Sequence, residues 1–206
     1  MVKFFRLPLI AAIAATISLG AHATSTAVTT NQWYEFNVDD FLATSGGTEW
    51  IDFNDGSALS FNFTIDSGYV GSLTVVDTGF AGDTFTVFNG TTLLGTTLLV
   101  PAGVYDANAT AIVDPDVAVA DSSFSQRTFV LGAGSYSING ALQQSVLLST
   151  GGAPLNASIG DLRLSVAAVP EPETLALLLA GLGLVGFVSR RRTLAGNPTR
   201  STLISA

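Results

Sequence analysis

The sequence predicts an all-β fold, a single β-sandwich of jelly-roll type, preceded by a signal peptide and followed by one C-terminal transmembrane helix. Three observations carry the prediction. Leu59-Ser-Phe-Asn-Phe-Thr-Ile65 alternates apolar and polar residues without interruption, as a strand with one buried face must. Gly, Asn and Ser clusters punctuate the middle of the chain at short intervals, and these residues favour turns. No stretch between Thr24 and Val169 repeats its apolar residues at helical spacing. Roughly eight to ten short strands separated by frequent turns describe a sandwich.

The first element is a targeting segment. Lys3 and Arg6 form a short positive region, Leu7 to Leu19 is almost wholly apolar, and Ala21-His22-Ala23 supplies the small-x-small pattern of a signal peptidase site. Residues 1–23 are therefore expected to leave as a secretory signal peptide, cut after Ala23, which makes the Sec translocon and signal peptidase the first partners. An uncleaved anchor would need a longer apolar run.

The domain, residues 24–168, opens with two strand candidates, Trp33 to Val38 and Trp50 to Phe53. After Leu59–Ile65 come Ser72 to Asp77 and Asp83 to Phe88, separated by the glycine-bearing loop Thr78–Gly82. Asn89-Gly90 marks a hairpin, since both residues tolerate positive φ, and Leu93 to Val100 returns from it until Pro101 stops the strand. The last candidates are Thr128–Leu131, Ser135–Ile138, Leu142–Leu148 and Ile159–Val166, with turns at Gly132–Gly134, Asn139-Gly140 and Gly151-Gly152. Between them and the hairpin, Ala102 to Ser125 is too long for an ordinary connection. It reads as a functional or mobile loop.

Composition narrows the chemistry. The chain has no cysteine and one histidine, His22, which departs with the signal peptide; no lysine follows Lys3. Ser-His-Asp and Cys-His catalysis, lysine Schiff bases and His/Cys zinc sites thereby lose their essential groups. Only Arg127 and Arg163 oppose fourteen carboxylates between Glu35 and Asp161. The resulting domain charge, about −12, disfavours nucleic acid as a partner. No catalytic residue is assigned and the domain is expected not to be an enzyme.

Three weaker readings of the domain stay open beside that expectation. Asp52-Phe-Asn-Asp55-Gly and Asp114-Pro-Asp116 offer oxygen ligands suited to calcium, although the first does not match the EF-hand spacing and Asx turns would use the same residues. Calcium is thus the one cofactor considered. Trp33, Tyr34, Trp50, Tyr69, Tyr105 and Tyr136 could stack on sugars in a lectin-like module, or simply fill the core. Paired carboxylates could hydrolyse a glycosidic bond. The Asn-x-Ser/Thr triplets at Asn62, Asn89, Asn108 and Asn156 read as ordinary turn and strand residues.

The C-terminal quarter is the most legible. Val169-Pro-Glu-Pro-Glu-Thr174 precedes an apolar run from Leu175 to Val188, then Ser189 and Arg190-Arg191-Arg192. Pro170 and Pro172 fix φ and extend their neighbours. The run is about 21 Å long as a helix, short for a hydrocarbon core of about 30 Å, and Thr174, Ser189 and snorkelling arginines extend it to about 174–189. The arginines hold the cytoplasmic side, which places the domain outside. Gly181-Leu-Gly-Leu-Val-Gly186 matches a dinucleotide fingerprint only in form, since no strand precedes it and no acidic residue follows at the required distance.

This arrangement, 169–192, resembles the PEP-CTERM sorting domain of Gram-negative bacteria. The resemblance implies an exosortase in the inner membrane that recognises Pro170-Glu171-Pro172, cuts near it and passes the protein to the cell surface or extracellular matrix. Such proteins typically occur in bacteria that make exopolysaccharide, so exopolysaccharide is the implied partner; the two addresses together with the lack of catalytic groups make a structural or adhesive role the expected function. Members end soon after the arginines, whereas here 193–206 continue as a short cytoplasmic tail. Val75–Phe88 with Gly95-Thr-Thr97, and Phe129–Ile138, are similar to β segments often found in front of this label.

Overall fold

The computed structural model describes residues 23–170 and 172–195. The expected signal peptide up to His22, Glu171 and the tail from 196 onward lie outside the described residues.

Eleven strands and two helices follow in order: β1 (Ala23–Ala27), β2 (Trp33–Asp39), β3 (Ala58–Ile65), β4 (Tyr69–Thr78), β5 (Thr84–Asn89), β6 (Thr92–Thr96), β7 (Val104–Tyr105), α1 (Pro115–Ala120), β8 (Gln126–Leu131), β9 (Gly134–Gln144), β10 (Leu147–Leu148), β11 (Ala157–Ala168) and α2 (Pro172–Ala195). One sheet reads β2-β11-β4-β8 and the other β1-β3-β9-β5-β6, with β7 and β10 as a small separate pair. Setting aside β1 and that pair leaves eight strands. Renumbered one to eight, they lie in the orders 1-8-3-6 and 2-7-4-5, two interlocked Greek keys facing one another, which is a jelly roll. β1 extends the edge of the second sheet, parallel to β3.

Alternation puts one face of each sheet inside. Phe36, Leu73, Val75, Phe129 and Leu162 come from the first sheet, Phe61, Ile65, Phe85, Val87 and Ile138 from the second, and Trp50 lies buried among them. Phe36 stacks on Trp50 at 3.8 Å between ring centroids and meets Phe85 edge-on at 5.0 Å. This aromatic centre sets the positions of two glycines. A Cβ at Gly160 would stand 2.3 Å from Phe36 Cζ, and one at Gly140 would stand 2.4 Å from Trp50 Cε2. Interiors packed to crystalline density have no room for either.

Several local expectations are corrected. Asn139-Gly140 is not a turn, because β9 runs straight through it to supply the flat spot beneath Trp50. Trp50–Phe53 makes isolated bridges through Ile51 to Asn37 and Ala58, not a strand. β6 stops at Thr96, because the Thr97 hydroxyl turns inward to accept the Phe85 amide at 3.0 Å. The 102–125 segment contains α1: Asp114 caps it by accepting the Asp116 amide at 3.0 Å, and Pro115 occupies its first turn, both helix-start signals. The C-terminal helix is present, but among the described residues no helix is long and apolar enough to cross a membrane.

Candidate functional site

Two places on the molecule combine exposure with chemistry. The first is the junction between sandwich and tail. β11 pairs with both β2 and β4 from Ile159 to Arg163, and from Leu164 to Ala168 with β4 alone. The sheet's last hydrogen bond runs from the Val169 amide to the Gly68 carbonyl, 2.8 Å. Pro170, which has no amide hydrogen to donate, is exposed and ends the pairing. α2 begins at Pro172. The expected processing residues are thus the first ones beyond the fold, with no spacer. Arg190 lies exposed on α2, which also carries Arg191 and Arg192. Toward the other terminus Ala23 is the first residue of β1, paired with Ala58, so a cut after Ala23 would fall within β1, between its first and second residues.

The second place is a cavity of about 370 Å³ at one end of the first sheet. Phe53, Phe80, Tyr105, Val113 and Leu155 supply its apolar lining. Phe80 and Tyr105 meet edge-to-face with centroids 4.8 Å apart. Reciprocal backbone bonds between Gly79 and Ile112, 2.7 and 2.8 Å, tie the long segment down as one wall. Asn37, Asp39, Asp83 and Ser158 are its polar members.

Asp83 and the neighbouring Asp77 form a buried acidic pair that the spacing of the sequence did not disclose, and a third buried carboxyl, Asp161, faces Thr78 and Glu35 instead. Asp77, Asp83 and Asp161 are all buried. Asp77 Oδ2 accepts the Gly82 and Asp83 amides, each at 3.1 Å, and so closes the loop between β4 and β5. Its Oδ1 has no hydrogen-bond partner among the described residues. Burial, reinforced by the neighbouring Asp83, pushes the Asp77 carboxyl up to about 9, against the pull of those amides. Burial raises Asp83 to about 6, opposed by the Ser158 hydroxyl and the Val146 amide, which reaches Asp83 Oδ1 at 2.6 Å. Asp161 is also raised to about 6 by burial, with Glu35 directly opposite adding to the shift and the Thr78 hydroxyl at 3.0 Å opposing it. Of the three, Asp77 is the one whose surroundings favour the neutral acid most strongly.

The four aspartates considered for calcium are not gathered into one site. Asp52 Oδ1 accepts both the Asn54 amide and its side-chain nitrogen at 2.8 Å, and Asp55 Oδ1 accepts the Ser57 amide at 2.9 Å. Asp114 is the cap of α1. Asp116 Oδ1 binds Arg163 at 3.0 Å and Trp33 Nε1 at 3.1 Å. Among the described residues no group of three His, Cys, Asp or Glu could hold a metal ion. The aromatic residues are dispersed as well. Trp50 is in the core, Trp33 lies under the Arg163 guanidinium at 4.2 Å, and Tyr136 stacks on Phe63. Of the six, Tyr105 alone lines the cavity, beside Phe53 and Phe80, which no alternation pattern distinguishes from other aromatics.

Comparison with known proteins agrees with the tail and is nearly silent on the domain. Residues 168–192 match the family model of the PEP-CTERM protein-sorting motif. No curated protein matches the chain. Among solved structures, the pre-peptidase C-terminal domain of a collagenase from Bacillus anthracis aligns with 70% of this chain and 97% of that one, at 8% identity and a TM-score of 0.37. That likeness is too distant to carry an argument.

Proposed function

We propose that this protein is a non-catalytic structural or adhesive component of the exopolysaccharide layer, exported by its signal peptide and sorted by an exosortase to the surface of a Gram-negative bacterium. The sorting motif at 168–192 is the observation that carries the reading. In it α2 holds the chain at the inner membrane for a time, its short apolar run accommodated by local thinning and by arginines reaching the headgroups. Support for a non-catalytic role comes from the lack of His, Lys and Cys side chains between residues 24 and 168.

The test compares full-length protein in exosortase-positive and exosortase-null cells. A shortened species should accumulate outside the positive cells, and Glu171→Ala should reduce it at least tenfold. Full-length protein retained in the inner membrane of positive cells would sink the proposal.

The cavity supports a second reading, glycan binding, because three aromatic side chains and several carboxyl and amide groups line one concave surface. Glycan arrays probed with the secreted protein, with calcium and with chelator, should then give hits that Phe53→Ala weakens about tenfold or more. An array without hits under both conditions retires this reading and its calcium-dependent form.

A further inference from the structure

The junction carries an inference that rests on the sorting reading and extends it. Val169 is still hydrogen-bonded within the sheet, and α2 starts three positions later. Between them lie only Pro170 and Glu171, so the gap from Val169 to Pro172 is bridged by about 10 Å of chain at most. A peptidase that reads Pro170-Glu171-Pro172 has to surround an extended backbone. It needs chain on both sides of the tripeptide, as extended peptides do when they add a strand to a partner. Downstream the chain is helical. Upstream it is part of a folded sheet as far as Val169, the residue just before the motif.

The end of β11 is built so that it can leave. Beyond Leu164, whose carbonyl still accepts the Asn31 amide at 2.7 Å, it is paired on one side only. Ser165, Ala167, Ala168 and Val169 are exposed, and Val166 alone of this stretch packs, half-buried, against the core. The large core residues of this strand, Leu162 and Leu164, precede that stretch. Releasing Ser165–Val169 therefore gives up a few solvent-exposed backbone bonds and little apolar burial, and the rest of the sandwich keeps its core.

We infer that the segment bound by the sorting peptidase includes Ser165–Val169, which detaches from β4 and enters the enzyme as extended chain. Recognition then has two parts, the tripeptide and a strand end that can peel.

The absence of cysteine from the chain makes a clean test possible. Val70 and Ala167 are direct cross-strand partners, a spacing that a disulfide can bridge. In full-length protein exported to an oxidising periplasm, Val70→Cys with Ala167→Cys should lower processing at least tenfold. Each single substitution should be processed like the wild type, and reductant should restore the double variant. Eight Gly/Ser residues inserted between Val169 and Pro170 should rescue the locked chain by supplying free backbone. Equal protease resistance of the sandwich in all forms separates a lock from a misfold. Wild-type processing of the oxidised double variant overturns the proposal, as does a linker that fails to rescue it. If the wild type itself is never processed in exosortase-positive cells, the sorting reading falls first.

Discussion

At the scale of single residues, the buried carboxyls set a pH dependence opposite to the usual one for acidic proteins. Asp77, Asp83 and Asp161 all have folded values above the 3.8 of the unfolded chain. The native state thus holds protons that the unfolded state releases, and stability falls as pH rises. The window opens near pH 4. Asp83 and Asp161 complete their share near 6, and Asp77 continues the decline to about 9. Thermal melts should show Tm dropping steadily from pH 5 to pH 9. Asp77→Asn imitates the neutral acid, keeping an acceptor for the Gly82 and Asp83 amides and a donor on the other atom. It should raise Tm at pH 8.5 by at least about 2–4 °C, corresponding to roughly 1 kcal/mol in a domain of this size, and flatten the alkaline limb. An unchanged slope would show that Asp77 is not the group responsible. None of this could be read from spacing, since Asp77 and Asp83 look like any loop carboxylates until burial is known.

At the scale of elements, the strands with a fully alternating pattern are the ones the sequence locates well: β3, β4, β5 and β11 lie where alternation predicts them. Errors fall where a tertiary partner overrides a local signal. Asn139-Gly140 has turn chemistry, yet Trp50 needs a residue without a side chain at that point of β9. The small helix α1 was legible in principle from Asp114-Pro115-Asp116, since an N-cap followed by proline starts helices. What holds α1 to the sheet was not legible. Arg163 on β11 pairs with Asp116 at 3.0 Å and lies over Trp33 on β2 at 4.2 Å, while Ala118 and Phe124 pack on Val76. Both Arg163 contacts are partly solvated, and each is worth about 0.5–1 kcal/mol. Arg163→Ala should therefore cost about 1–2 kcal/mol globally. It should also speed limited proteolysis within 102–125 several-fold before the sandwich is cut. Cleavage that begins elsewhere at the same rate as in the wild type would mean that Arg163 does not hold the segment.

At the scale of the whole molecule, the tail is a separate instruction appended to a closed fold. Among the described residues, α2 carries none of the buried core side chains. Chains carrying the signal peptide and ended after Val169 should accumulate as folded periplasmic protein with a Tm within about 2 °C of the processed form, measured by the same thermal melt. A lower Tm would show that residues beyond Val169 support the sandwich. The sequence by itself determined the targeting logic, because proline geometry, an apolar run and an arginine cluster act locally and need no fold to be recognised. It also determined the β class and the exclusion of histidine, cysteine and lysine chemistry, since alternation and composition are properties of the chain. Tertiary structure alone decided the rest. The jelly-roll strand order, the burial of Asp77, Asp83 and Asp161, the cavity beside Phe53 and the closeness of Pro170 to the last paired residue depend on distances between segments far apart in the chain. Those distances follow from packing two twisted sheets around one aromatic core.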